Sequence, residues 1–155
     1  MLRISKLADY GTVIMVYLAK LEARFSNAGD IASHTHLAKP TVSKLLKRLT
    51  AAGLLVSVRG VSGGYRLQRL ASEISIADII YAVEGNPGLV ECSVLPSPCS
   101  LQSVCSIQGN WRLISQAIET ALDSVSLEAL ARPMFRNGME IKKIHQVANS
   151  LNSGE

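Results

Sequence analysis

Between Pro40 and Leu67 the hydrophobic period changes once, from that of a helix to that of a strand. No other feature of the chain constrains its fold as much. Val42, Leu45, Leu46 and Leu49 recur at i, i+3, i+4 and i+7, one face of an amphipathic helix. Pro40 suits the first turn, where its missing N–H is no loss, and Gly53 is placed to end the helix. Leu54, Val56 and Val58 then alternate as a half-buried strand does. The run Arg59-Gly-Val-Ser-Gly-Gly64 turns the chain, and Tyr65 and Leu67 resume the alternation. The pattern predicts a helix followed directly by a hairpin.

Upstream, Ile4, Leu7, Ala8, Gly11, Ile14, Met15, Leu18 and Leu21 step by three or four, predicting a helix over 4–22. A polar break at Ser26-Asn27 precedes a short helix over 28–34, and a turn through Leu37 and Ala38 leads to Pro40. His34 and His36 read as turn or surface residues. Helix, short helix, turn, basic helix and hairpin make a winged helix-turn-helix. The polar face of its third helix carries Thr41, Ser43, Lys44, Lys47 and Arg48, residue types that meet base edges and phosphates in the DNA major groove. The wing carries Arg59, Ser62, Gly63, Tyr65 and Arg66, within reach of the neighbouring backbone or minor groove.

Charge is sorted in the same way. Residues 1–69 hold eleven Lys and Arg against three Asp and Glu, a net of +8, whereas residues 70–155 hold five against nine, a net of −4. The whole-chain value of +4 averages a basic half, suited to phosphate, with an acidic one. With 155 residues, 48% hydrophobic and 18% charged, the chain suits one compact domain or one domain with an appendage. No apolar run approaches a membrane span. Asp9 interrupts the N-terminal apolar stretch and no cleavage site follows it, so a cytoplasmic protein is expected.

The acidic half opens with Ser75 and Asp78, spaced as a capping box for a helix through Glu84, which Gly85-Asn86-Pro87-Gly88 ends. The next stretch shows no sustained period and contains Cys92, Cys99 and Cys105, spaced C-x6-C-x5-C. Three cysteines in a proline-bearing loop form neither a disulfide framework nor the close pairs of a zinc module. An iron–sulfur cluster, a redox disulfide and chance all remain open at this point. Trp111, Ile114, Ile118, Ala121 and Val125 then predict a helix over 106–131, facing either the domain core or a second copy. Cys105 lies near its positive end, which favours a thiolate. The tail beyond Pro133 has a weak apolar pattern through Met139, Ile144, Val147 and Leu151.

Together these pieces resemble the winged-helix iron–sulfur transcriptional regulators typified by IscR and NsrR, most closely those of the SUF assembly system. The resemblance covers about residues 1–131. It is carried by Leu2-Arg-Ile-Ser-Lys-Leu-Ala-Asp9-Tyr-Gly11, by Val42-Ser-Lys-Leu-Leu-Lys-Arg-Leu49 with Gly53-Leu54, by Gly60-Val-Ser-Gly-Gly-Tyr65, and by three cysteines ahead of Trp111. It implies a mainly α fold with a small β-hairpin, comprising a winged helix-turn-helix domain (1–84), a cluster-binding loop (85–108), a dimerisation helix (106–131) and a tail (132–155). It further implies a homodimer on double-stranded DNA, with a [2Fe-2S] or [4Fe-4S] cluster held by Cys92, Cys99 and Cys105. Two departures accompany it. The first cysteine interval is one residue longer than in the IscR-like pattern, and Gln108 stands where that pattern has a histidine. The NsrR-like branch completes its site with an N-terminal aspartate of the partner subunit, and Asp9 occupies the matching position. The alternatives are a regulator of this fold switched by thiol oxidation, a zinc-stapled interaction module and a thiol oxidoreductase. The last lacks a C-x-x-C pair and any nucleophile–base motif.

Overall fold

The computed structural model describes residues 4–85, 90, 99–100 and 104–132; Cys92 and the tail pattern lie outside them. Helix α1 (Lys6–Ala19) begins where the Ser5 hydroxyl accepts from the Ala8 N–H at 3.2 Å. It stops three residues short of the expected 22, because Glu22 and Ala23 turn the chain at φ 48° and 70°. Leu21 keeps its place in the apolar stripe from outside the helix and still packs on the core. Helix α2 (Ala28–Thr35) is capped by the Asn27 side chain and ends at His36, whose φ of 56° makes the turn of the helix-turn-helix. His34 stacks on Tyr17 with centroids 5.0 Å apart. Both histidines are thus turn and surface residues.

Helix α3 (Lys39–Ala51) buries Val42, Leu45, Leu46 and Leu49, as the period required, with Pro40 in its first turn. Its end is a Schellman turn: Gly53 at φ 75° donates to Thr50 and Leu54 donates back to Leu49, both at 3.0 Å. Leu54 therefore belongs to the helix stop. Strand β1 (Leu55–Val58) pairs antiparallel with β2 (Gly64–Leu67), Val58 opposite Gly64. The expected 54/56/58 alternation is shifted accordingly, with Leu55 buried and Val58 exposed.

After a 3-10 turn, Ser75 and Asp78 close the expected capping box at 3.0 and 3.1 Å, opening α4 (Ile76–Glu84). The single helix expected over 106–131 is instead two, α5 (Gln108–Asp123) and α6 (Leu127–Ala131). The break comes from pairing across the chain. Val125 accepts from Ile76 at 3.0 Å and Leu127 donates to Ile74 at 2.7 Å, which leaves Ser126 to cap α6. Leu127 is fully buried in the core with Ile14, Leu45 and Ile79, so residues 125–131 close the winged-helix domain and do not extend α5.

His36 lies in the left-handed region with an exposed side chain. Substituting glycine removes the Cβ conflict there, and His36→Gly is expected to stabilise the fold by up to about 1 kcal/mol. Urea denaturation tests this; a lower midpoint in the variant would show that the ring contributes more than its conformation costs.

Candidate nucleic-acid interface and thiol site

At about 100° per residue, Lys44 and Lys47 stand opposite the buried face of α3, with Thr41, Ser43 and Arg48 on its flanks. Both lysines are exposed, while Thr41 and Ser43 are half-buried. Arg48 is exposed as well but has a partner within the fold: its Nη1 donates to the Val83 carbonyl in the last turn of α4. Sequence reading grouped it with the lysines because both kinds of residue lie off the core face. Lys39, exposed in the first turn, was missed although it directly precedes Pro40. No side chain caps this end of α3, so its first N–H groups face outward at the positive end of the helix dipole.

The wing divides its residues between structure and surface. Arg59 and Ser62 are exposed at the tip beside Val61, which is 107% exposed and which sequence reading passed over. Gly63 is structural, since a Cβ there would lie 2.2 Å from the Val58 carbonyl oxygen. Tyr65 exchanges two backbone bonds with Ser26, at 2.9 and 3.0 Å, adding a third short rung to the hairpin. Arg66 lies over the Phe25 ring, 5.1 Å from its centroid, so its charge is drawn to the base of the wing. The surface directed outward comprises Lys39, Lys44, Lys47, Arg59 and Ser62, all on α3 or the wing tip.

Cys99 and Cys105 are half-buried thiols not joined to each other. Cys105 stands three residues before α5, beside its N-terminus, and Gln108 is the first residue of that helix. Among the described residues no three His, Cys, Asp or Glu side chains converge. Soft, partly accessible thiols, one of them at a helix's positive end, have the donor chemistry an iron–sulfur cluster needs, and the third cysteine, Cys92, lies outside the described residues. Asp9 is exposed on the first turn of α1, at a cavity of about 490 Å³ lined also by Lys6, Thr12, Ile80, Leu122 and Leu130. Neither described cysteine lines that cavity. Asp9 is therefore solvent-exposed at a cavity between α1, α4, α5 and α6.

Helix α5 buries no residue, and Ile107, Trp111, Leu113 and Ile114 stand exposed on and beside its first turns. It is joined to the domain through α4. Tyr81 lies beside the Glu119 carboxylate of α5, and burial followed by that carboxylate holds the Tyr81 hydroxyl well above the usual tyrosine range.

Residues 4–133 match the Rrf2 family, described as iron-dependent transcriptional regulators. The chain is 31% identical over 144 residues to protein aau3 of Rhizobium meliloti (strain 1021), covering 90% of this chain and 94% of that one. The structure of CymR, the global cysteine regulator of B. subtilis, is 35% identical with a TM-score of 0.66, covering 84% and 97% of the two chains. The oxidized form of Staphylococcus aureus CymR is 30% identical, with a TM-score of 0.62, covering 88% and 100%. The structure of T. potens IscR is 27% identical with a TM-score of 0.65, covering 91% and 96%. Among the described residues no helix is long and apolar enough to cross a membrane.

Proposed function

This chain belongs to the Rrf2 family of DNA-binding transcriptional regulators, not enzymes, and we propose that its operator affinity is set by an iron–sulfur cluster on Cys92, Cys99 and Cys105. The observation that carries this reading is a half-buried Cys105 thiol just ahead of α5, with a second half-buried thiol at Cys99, on a domain that presents Lys44 and Lys47 outward. The partner subunit's Asp9 supplies the fourth ligand, a role supported by its exposed carboxylate at a cavity that neither described cysteine lines. When bound, the cluster would supply sensitivity to oxidants and to iron supply.

The protein's own residues do the rest. The exposed apolar residues of α5 pair two subunits, which sets the separation of the two α3 helices. Half-sites read by such dimers lie about 10 bp apart. A small change in that separation alters affinity by the roughly 1–3 kcal/mol typical of allosteric coupling. Lys44, Lys47 and the α3 N-terminus hold phosphates, and Arg59 and Ser62 extend the contact from the wing. The resemblance to SUF-system regulators makes cluster-assembly genes the regulated set.

Anaerobic purification with iron, acid-labile sulfide and visible absorption measurements tests the cluster. A coloured protein is expected, with colour lost in Cys92→Ser, Cys99→Ser and Cys105→Ser. A protein that stays iron-free after anaerobic reconstitution overturns the reading; zinc in its place would point to a stapled interaction module. One further reading has its own observation: two accessible thiols separated by five residues, and likeness to a CymR solved in an oxidized form. It requires that a thiol oxidant shift operator affinity in iron-free protein and that Cys99→Ser or Cys105→Ser abolish the shift.

A further inference from the structure

The last turn of α4, directly before the cysteine-bearing segment, meets three other helices. The segment leaves α4 after Glu84 and enters α5 at Gln108. Just before its start, the Val83 carbonyl has no partner within α4, being among the last four of the helix. Arg48 of α3 supplies one, donating from Nη1 across 35 positions of sequence. Two residues earlier, Tyr81 lies beside Glu119 where α5 packs on α4, which brings α5 to the same turn. The turn is also held from α1: a Cβ on Gly11 would lie 2.9 Å from Val83 Cγ2, so the two helices already touch there. Residues 81–83 thus contact α1, α3 and α5 at once, directly before the chain enters the cysteine segment.

From this we infer that Arg48 is a positioning residue for the recognition helix, and that the 81–83 turn couples the placement of α5 to the placement of α3. Arg48 sets the height of α3 against α4 and does not itself hold phosphate. Tyr81, far from the DNA-facing side of α3, acts on operator affinity through the same turn. A packed turn with Arg48 bonded on one side and α5 seated on the other passes on a displacement, because packed interiors have few voids in which to absorb it. The inference rests on reading α3 as the recognition helix.

The test is operator binding measured by fluorescence anisotropy across a KCl series, on the full chain, for Arg48→Met, Tyr81→Phe, the double variant and Lys44→Ala. Arg48→Met keeps the aliphatic stem and removes the donor; Tyr81→Phe removes only a hydroxyl, and thermal melts establish that each variant is folded. Arg48→Met and Tyr81→Phe are each expected to weaken binding about fivefold or more without changing the slope of log K against log salt. The double variant is expected to be little worse than Arg48→Met, since both side chains act through one element. Lys44→Ala marks a true phosphate contact, lowering the slope by about 0.9. A slope drop of that size in Arg48→Met, unchanged affinity in either single variant, or additive losses in the double would each overturn the inference. An unchanged slope in Lys44→Ala instead removes the recognition-helix reading on which it stands.

Discussion

Gly64→Ala is expected to unfold the wing and to lower global stability by about 2–6 kcal/mol. Two costs add. Gly64 has φ 143°, a region essentially restricted to glycine, where a side chain costs about 1–3 kcal/mol. A Cβ there would also lie 2.5 Å from the Ser26 carbonyl oxygen, and that backbone is held by the paired bonds between Ser26 and Tyr65. Forcing it away adds about 1–3 kcal/mol of overpacking. Gly60→Ala is the control, because Gly60 has φ 122° but nothing within 4 Å of the same added atom. Urea denaturation of both variants separates backbone strain from contact. Equal losses would mean that the approach of Ser26 contributes nothing to the requirement for glycine.

Removing both outward lysines is expected to have the largest effect on function. Each phosphate contact contributes about 0.9 to the slope of log K against log salt, so Lys44→Ala with Lys47→Ala should lower it by about 1.8. Near 0.1 M salt each contact corresponds to roughly an eightfold loss, and both to about sixtyfold, converging towards the parent near 1 M. Both side chains are exposed and opposite the core face, so the fold should not suffer. Anisotropy titrations from 50 to 200 mM salt (roughly the range over which such slopes are read) make the comparison. A double variant with the parent's slope would place DNA elsewhere on the molecule.

Much of the fold was legible in the residues, and the exceptions share a cause. Pro40, the 42/45/46/49 stripe and Gly53 located α3 because helix starts, faces and stops are written in neighbouring residues. Ser75 and Asp78 located α4 in the same way. The 111/114/118/121/125 stripe misled, since Val125 has the right spacing for α5 but its carbonyl is taken by Ile76. Ser126, a capping residue within the expected helix, was the available local signal. Arg48, Tyr65 and Arg66 were grouped with DNA-contacting residues by type and position. The structure places Arg48 on Val83, the Tyr65 backbone on Ser26 and Arg66 over Phe25.

From its sequence alone the chain was determined to be a winged helix-turn-helix with a basic half, an acidic half and a cysteine-bearing segment between helices. Periodicity, caps, glycine turns and charge are properties of residues close together in the chain. Tertiary structure alone decided which cations face outward, where α5 gives way to α6, and that one turn of α4 meets α1, α3 and α5. Those outcomes depend on which carbonyl, ring or glycine the fold brings beside a side chain from tens of residues away, and a long cationic side chain takes whichever partner lies within its reach.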